Sequence, residues 1–255
     1  MISKNQIKFV NSLKQKKYRE EQNLFVAEGN KVVKELLDSS IAVKQVYATS
    51  DFMRNNKLDH SIERFEVKEN ELERISSLMT SNEVLAVCEI PTFNFEIESL
   101  QNKLTLVLDE IKDPGNLGTI IRMADWFGID TVVCSLHSAD CFNAKVVQAS
   151  MGSIARIKIV YKELVSFFQE FRLKNEDPIY GAMLEGENIY SSKLTKSGLI
   201  VIGNESRGIS ETALPFITHR ISIPSFSHYK TEGGEAESLN AAIATSIICS
   251  EFRRR

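Results

Sequence analysis

The chain has 255 residues, of which 43% are hydrophobic and 25% charged, with a net charge of −3 at neutral pH. That balance suits a folded globular protein and excludes a disordered chain, a collagen-like repeat or a uniformly basic coat for nucleic acid. No apolar run approaches the roughly 18 residues needed to span a bilayer, and "MISKNQIKFVNSLKQKKYRE" contains no signal-like apolar segment, so a cytoplasmic protein with no membrane partner is expected.

Residues 1–19 hold six basic side chains (Lys4, Lys8, Lys14, Lys16, Lys17 and Arg19) and no acidic one. This segment reads as a basic helix. It is either a solvated face or an arm in which Lys14, Lys16, Lys17 and Arg19 meet a phosphate backbone. A helix at "KVVKELLDSS" follows, then strands at "VKQVYAT" and "ERFEV", a helix at "ENELERISSLM" and a strand at "EVLAVCEI". Residues 1–90 therefore form a small α/β domain. The polar, proline-containing stretch 91–103 reads as a linker.

From Leu104 short apolar runs alternate with helices. "LTLVLD", "TVVCS", "ARIKIV", "PIYGAML", "LIVIG" and "HRISI" are strands, and their near-continuous apolar character suits a parallel sheet covered on both faces. "NLGTIIRMADWFG", "AKVVQASMG", "ELVSFFQEFRLK" and "AESLNAAIATSIICSEF" are the helices between and after them. Residues 104–255 are thus an α/β domain, whose ligands should bind beyond the carboxyl ends of the strands. The four cysteines and four histidines show no metal-ligand spacing, and neither a disulfide framework nor a metal site is expected.

Three turns at predicted strand ends carry unusual chemistry. In "DPGNLGTIIR", Asn116 can cap a helix after the Pro114–Gly115 turn. Leu117, Ile120, Ile121, Ala124 and Phe127 form its apolar stripe, and at roughly 100° per residue Arg122 falls off that stripe. In "LIVIGNESRGIS", Gly203 permits close backbone approach, neighbouring N–H groups are candidates for binding a ligand, and Glu205 needs solvent or a partner. In "RISIPSFSHYKTEGGEAESLNAAIATSI", a helix is expected to start near Glu237, with Ser238 and Asn240 in its first turn. There the Asn240 amide faces apolar residues and must bond backbone or a ligand. The chain contains neither a P-loop nor a dinucleotide-binding glycine fingerprint.

Taken together, these residues resemble the SpoU (TrmH) family of RNA ribose 2′-O-methyltransferases in the SPOUT superfamily. Asn116, Gly118 and Arg122 match its first motif. Gly203, Glu205 and Gly208 match its second, and Ile223, Pro224 and Glu237 to Asn240 its third; "ASMGS" also looks like a family segment. The resemblance covers 104–255, and the N-terminal part resembles the family's RNA-binding domain. It implies a SPOUT-type parallel sheet with a deep trefoil knot, S-adenosylmethionine as cofactor, ribosomal or transfer RNA as substrate, and a homodimer.

The resemblance also implies residue roles. Arg122 would act on the ribose 2′-hydroxyl, with Asn116 orienting it. Glu205 and Asn240 would hold the knot loops and the acceptor ribose, with Ser238 as a further contact. Gly203, Asn204, Gly208, Ile223, Pro224 and Leu239 would hold the cofactor. Two departures stand out: the twelve residues between Pro224 and Glu237 exceed the family spacing, and Ala144 and Gln148 replace a common proline and arginine. The added segment, Ser225–Glu232, is expected to act as a lid, as an RNA contact through His228, Tyr229 and Lys230, or as a neutral insertion. Two other classes of function compete: an RNA-binding ribosome-assembly factor with the same fold and no methyl transfer, and an unrelated nucleotide-binding enzyme.

Overall fold

The computed structural model describes residues 2–78, 82–226 and 238–254. Two compact units emerge, Met1–Thr92 with Asp140–Arg156, and Phe93–Ala139 with Ile157–Arg255.

In the first unit the basic segment is two helices, α1 (Lys4–Ser12) and α2 (Lys16–Gln22). Ser3 and Gln6 close a reciprocal capping box on α1, and Asn23, with φ +54°, ends α2 in the left-handed conformation that asparagine tolerates. There follow β1 (Leu24–Glu28), α3 (Asn30–Leu37), β2 (Val43–Ala48), α4 (Ser50–Asn55), β3 (Glu63–Glu66), α5 (Glu69–Leu72) and β4 (Val84–Glu89). The strands are ordered β1-β4-β2-β3, with β4 antiparallel to both neighbours and β2 parallel to β3. β1 lacks the alternating pattern that would mark a half-exposed strand, because four of its five residues are buried.

Arg19 does not belong to a phosphate-binding surface. It is 3% exposed, and its Nη1 donates to the carbonyls of Leu13 and Lys14, bridging the break between α1 and α2. Its remaining guanidinium edge pairs with Asp140. A buried cation must be paired, and this one is. Lys14, Lys16 and Lys17 remain exposed: Lys14 Nζ donates to the Ser76 carbonyl, while Lys16 and Lys17 lie 3.6 and 3.8 Å from Glu20 and Glu21.

The second unit opens with the stretch that reads as a linker, and Ile97 and Leu100 from it enter the apolar core. Next come β5 (Leu104–Leu108), α6 (Pro114–Trp126) and β6 (Thr131–Ser135). The chain then contributes α7 (Ala144–Ser150) to the first unit, where the Phe142 ring lies 4.8 Å from that of Phe25. It returns to the second unit with β7 (Lys158–Lys162), α8 (Leu164–Lys174), β8 (Ile179–Asn188), β9 (Gly198–Ile202), β10 (His219–Ser222) and α9 (Ala241–Arg254). The sheet order is β10-β8-β9-β5-β6-β7, and every pairing is parallel. Each residue of β5, β6 and β9 is buried, which explains their near-continuous apolar character.

Phe167, Phe168 and Phe171 of α8 pack with Val107, Val133, Leu199 and Val201 on one side of this sheet, and α6 packs against α9. β8 meets β10 in two registers, Tyr180 opposite His219 and Glu187 opposite Ile221. Gly186 sits at the second junction, where a Cβ would fall 2.8 Å from the Ile221 carbonyl carbon. Because all strands run parallel, their carboxyl ends share one edge, and the three unusual turns meet there.

Replacing Arg19 with Ala should remove a buried ion pair and two carbonyl partners. A loss of about 3–5 kcal/mol in chemical denaturation is expected. A loss below about 1 kcal/mol would mean that the pair does not hold the first unit together.

Candidate active site

The turn after β5 is organised by Asp113. Its Oδ1 accepts from the Asn116 N–H at 2.7 Å, capping α6, and Pro114 occupies the first helical position. Proline there sacrifices only an N–H that would have no helical partner. Asn116, which the sequence pattern offers as the cap, is therefore inside the first turn with its side chain released. The Asp-Pro pair is the signal that could have located the cap.

That released amide joins two elements distant in sequence. Asn116 Nδ2 donates to Glu205 Oε1 at 2.6 Å, and Asn116 Oδ1 accepts from Asn240 Nδ2 at 2.9 Å. Asn240 caps α9: its Oδ1 accepts from the N–H groups of Ala242 at 3.0 Å and Ile243 at 3.3 Å. The helix thus begins at Ala241 rather than near Glu237, and the Asn240 side chain is exposed at its end rather than buried among apolar residues. Glu237 itself, with residues 227–236, lies outside the described residues.

These contacts fix a direction. Backbone N–H groups can only donate, so the Asn240 oxygen faces them and its NH₂ faces Asn116. Asn116 must then turn its oxygen to Asn240 and its NH₂ to Glu205. The carboxylate is the terminal acceptor of a relay that starts at the amino end of α9.

Glu205 sits in a tight loop. Asn204 and Gly208 exchange backbone hydrogen bonds at 2.9 and 2.8 Å, while Asn204 Oδ1 accepts from the N–H groups of Ser206 and Arg207. The N–H groups of Asn204, Ser206, Arg207 and Gly208 are therefore consumed within the loop rather than offered to a ligand. Gly203 is required by the closure of the loop itself. A Cβ there would lie 2.2 Å from the Gly208 carbonyl carbon and 2.3 Å from the Ile209 nitrogen, so the loop closes only over glycine. Gly208 itself has φ +68°, which suits glycine.

Arg122 lies one turn beyond buried Gly118 on α6, is exposed, and makes no hydrogen bond or ion pair with another described residue. Ser238 is exposed and is not hydrogen-bonded into the relay among the described residues. Ile223 and Pro224 are half-buried after β10, and Leu239 is 47% exposed just before α9. Among the described residues, no group of three or more His, Cys, Asp or Glu is placed to hold a metal ion.

Residues 103–250 match the model of the SpoU rRNA Methylase family, and residues 4–86 match the MRM3-like substrate binding domain. The chain belongs to the SpoU rRNA methylase family. It is 30% identical over 253 residues to the 23S rRNA (guanosine(2553)-2′-O)-methyltransferase RlmP of Bacillus subtilis, a match spanning 98% of this chain and 97% of that protein. A TrmH-family structure from Porphyromonas gingivalis superposes with a TM-score of 0.88 at 40% identity, covering 100% of this chain and 99% of that one. The AdoMet-bound rRNA methyltransferase from Sinorhizobium meliloti gives 0.84 at 27% identity, covering 100% and 97%.

The donor set of this SpoU chain fits such a cofactor. After β10 and just before α9, Ile223 and Pro224 are half-buried and Leu239 and Phe226 are exposed, so apolar side chains are present there among the described residues. Apolar surface of this kind suits a purine ring.

Asn240→Asp should separate the two roles of Asn240. Aspartate caps a helix well, but it would set an acceptor against the Asn116 oxygen. Transfer activity should fall at least tenfold while α9 remains folded by circular dichroism; undiminished activity would remove the relay from the mechanism. Gly203→Ala should unfold the loop or destabilise the chain by more than about 2 kcal/mol in urea titration.

Proposed function

We propose that this chain transfers a methyl group from S-adenosylmethionine to a ribose 2′-hydroxyl in ribosomal RNA. The observation that carries this is the relay of Asn240, Asn116 and Glu205 at the strand ends, with Arg122 left open on the same helix as Asn116. The family match, the 2′-O-methyltransferase named among the relatives and the AdoMet-bound structure support it.

When bound, the cofactor supplies an electrophilic methyl group on a sulfonium. The chain supplies position and field. Arg122 acts as a cation: it binds the phosphate beside the acceptor ribose and stabilises the developing 2′-alkoxide, whose proton leaves to solvent. Glu205, fixed by Asn116, and the Asn240 end of α9 hold the loops that align hydroxyl and methyl donor, and Ser238 adds a contact to the ribose. Alignment of this kind supplies a large part of the rate. Gly203, Asn204, Gly208, Ile223, Pro224 and Leu239 form the cofactor loops, and a deep trefoil knot near the C-terminus involves the second and third motifs.

The first unit engages RNA through Lys14, Lys16 and Lys17. The surface pairs of Lys16 and Lys17 with Glu20 and Glu21 are worth about 0–1 kcal/mol each and exchange readily for phosphates. The functional protein is a cytoplasmic homodimer that needs no metal. Trp126, 82% exposed and one turn beyond Arg122 on α6, and Ile243 of α9, 54% exposed, supply apolar surface for a second copy.

Arg122→Ala should abolish methyl transfer to 23S rRNA while leaving S-adenosylmethionine affinity within about twofold by calorimetry. Loss of cofactor binding would give Arg122 a different role. Intact cofactor binding with no RNA methylated by the unaltered protein would favour the assembly-factor function. Replacing Lys14, Lys16 and Lys17 together with Ala should weaken RNA binding and flatten its dependence on salt; unchanged binding would make them a solvated face.

A further inference from the structure

The loop that presents Glu205 to the relay also walls a cleft of about 470 Å³, within the range of small-ligand sites. Asp109, Glu110, Asn204, Arg207, Ser210 and Glu211 line it. Asp109 is buried, and its Oδ2 accepts from the Ser210 N–H at 2.8 Å, so it is committed to the loop. Arg207 is exposed, and its guanidinium makes no hydrogen bond or ion pair with another described residue although acidic side chains share the cleft.

Glu110 is the unusual member. Its φ is +55°, a left-handed conformation that non-glycine residues seldom adopt. Two contacts hold it there: its N–H donates to Ser135 Oγ at 2.9 Å, and its carbonyl accepts from Asn204 Nδ2 at 2.9 Å. Glycine or asparagine would take this backbone at lower cost. The half-buried carboxylate, with Lys112 Nζ at 3.2 Å, is what glutamate adds to the cleft wall.

We propose that this cleft binds a guanine nucleotide of the RNA substrate, with Arg207 on its phosphate and Glu110 on its base. The proposal rests on the chain being an RNA methyltransferase. The planar guanidinium fork matches phosphate oxygens. A carboxylate offers two acceptor oxygens side by side, and guanine alone among the four bases presents two adjacent donors, N1–H and the N2 amino group, on its pairing edge. Adenine, cytosine and uracil each set an acceptor beside their donor. Asn204 serves both sites: its backbone closes the Glu205 loop, and its amide clamps Glu110.

The test is titration of the full chain with GMP, IMP and UMP, followed by NMR. GMP should bind at millimolar concentration, and IMP, which lacks the N2 amino group, should bind about fivefold more weakly. Arg207→Ala should lose affinity for both, and Glu110→Gln should bind GMP and IMP equally. Glu110→Gly, which relaxes the backbone at φ +55°, should retain thermal stability and S-adenosylmethionine affinity yet lose the preference for GMP. No GMP binding, equal binding of the three nucleotides by the unaltered chain, or an undiminished preference in both Glu110 variants would overturn the proposal. Methyl transfer to 23S rRNA, measured alongside, separates the two ideas. Normal transfer without a guanine preference sinks the cleft alone, whereas selective GMP binding without any transfer sinks the methyltransferase function and leaves the cleft standing.

Discussion

The amide of Asn240 accepts from two backbone N–H groups at the start of α9, and that fixes which of its atoms is left for Asn116. Orientation then passes through Asn116 to the Glu205 carboxylate. A helix end thereby determines how a loop more than thirty residues away is held, without any strong individual bond. Each hydrogen bond contributes only about 1 kcal/mol net, but leaving a partly buried carboxylate or amide unpaired costs more than forming the bond returns. The arrangement is therefore selective for one set of side-chain orientations.

The relay can exist only because the parallel sheet brings the relevant turns to one edge. β5 and β9 are neighbours, so the loops after them touch: the Asp109 N–H donates to the Ile202 carbonyl, and Asn204 reaches the Glu110 carbonyl. Gly203 lets the second loop fold back on itself at distances no side chain would tolerate. The two faces of that loop then serve different purposes, with Glu205 turned to the relay while Asn204 and Arg207 line the cleft.

Much of this was legible in the residues. Buried strands appear as near-continuous apolar runs, and of the expected α6 stripe Leu117, Ile120, Ile121 and Ala124 are buried, while Phe127 caps the helix and is half-buried. Asn116, Glu205 and Asn240 stand out because polar groups at the ends of apolar elements need partners. Their partners were not legible, since each lies about 90 or more residues away. Arg19 misleads for a related reason. A basic run looks uniformly solvated until the chain folds, and one of its cations is taken inside by a break between helices and by Asp140. Glu110 carries no sequence signal beyond following a strand; its meaning lies in a backbone angle.

The sequence by itself determined the α/β class, the parallel character of the sheet, the family and the identities of the polar residues at the strand ends. These depend on local periodicity and residue chemistry, which a linear chain already contains. The tertiary structure decided that Asp113 rather than Asn116 caps α6, that Gly203 makes room for backbone, that residues 140–156 join the first unit, and that Arg19 is internal. Each of these is a competition between possible partners for one donor, one acceptor or one small volume. Only the positions of distant segments in space settle which partner wins.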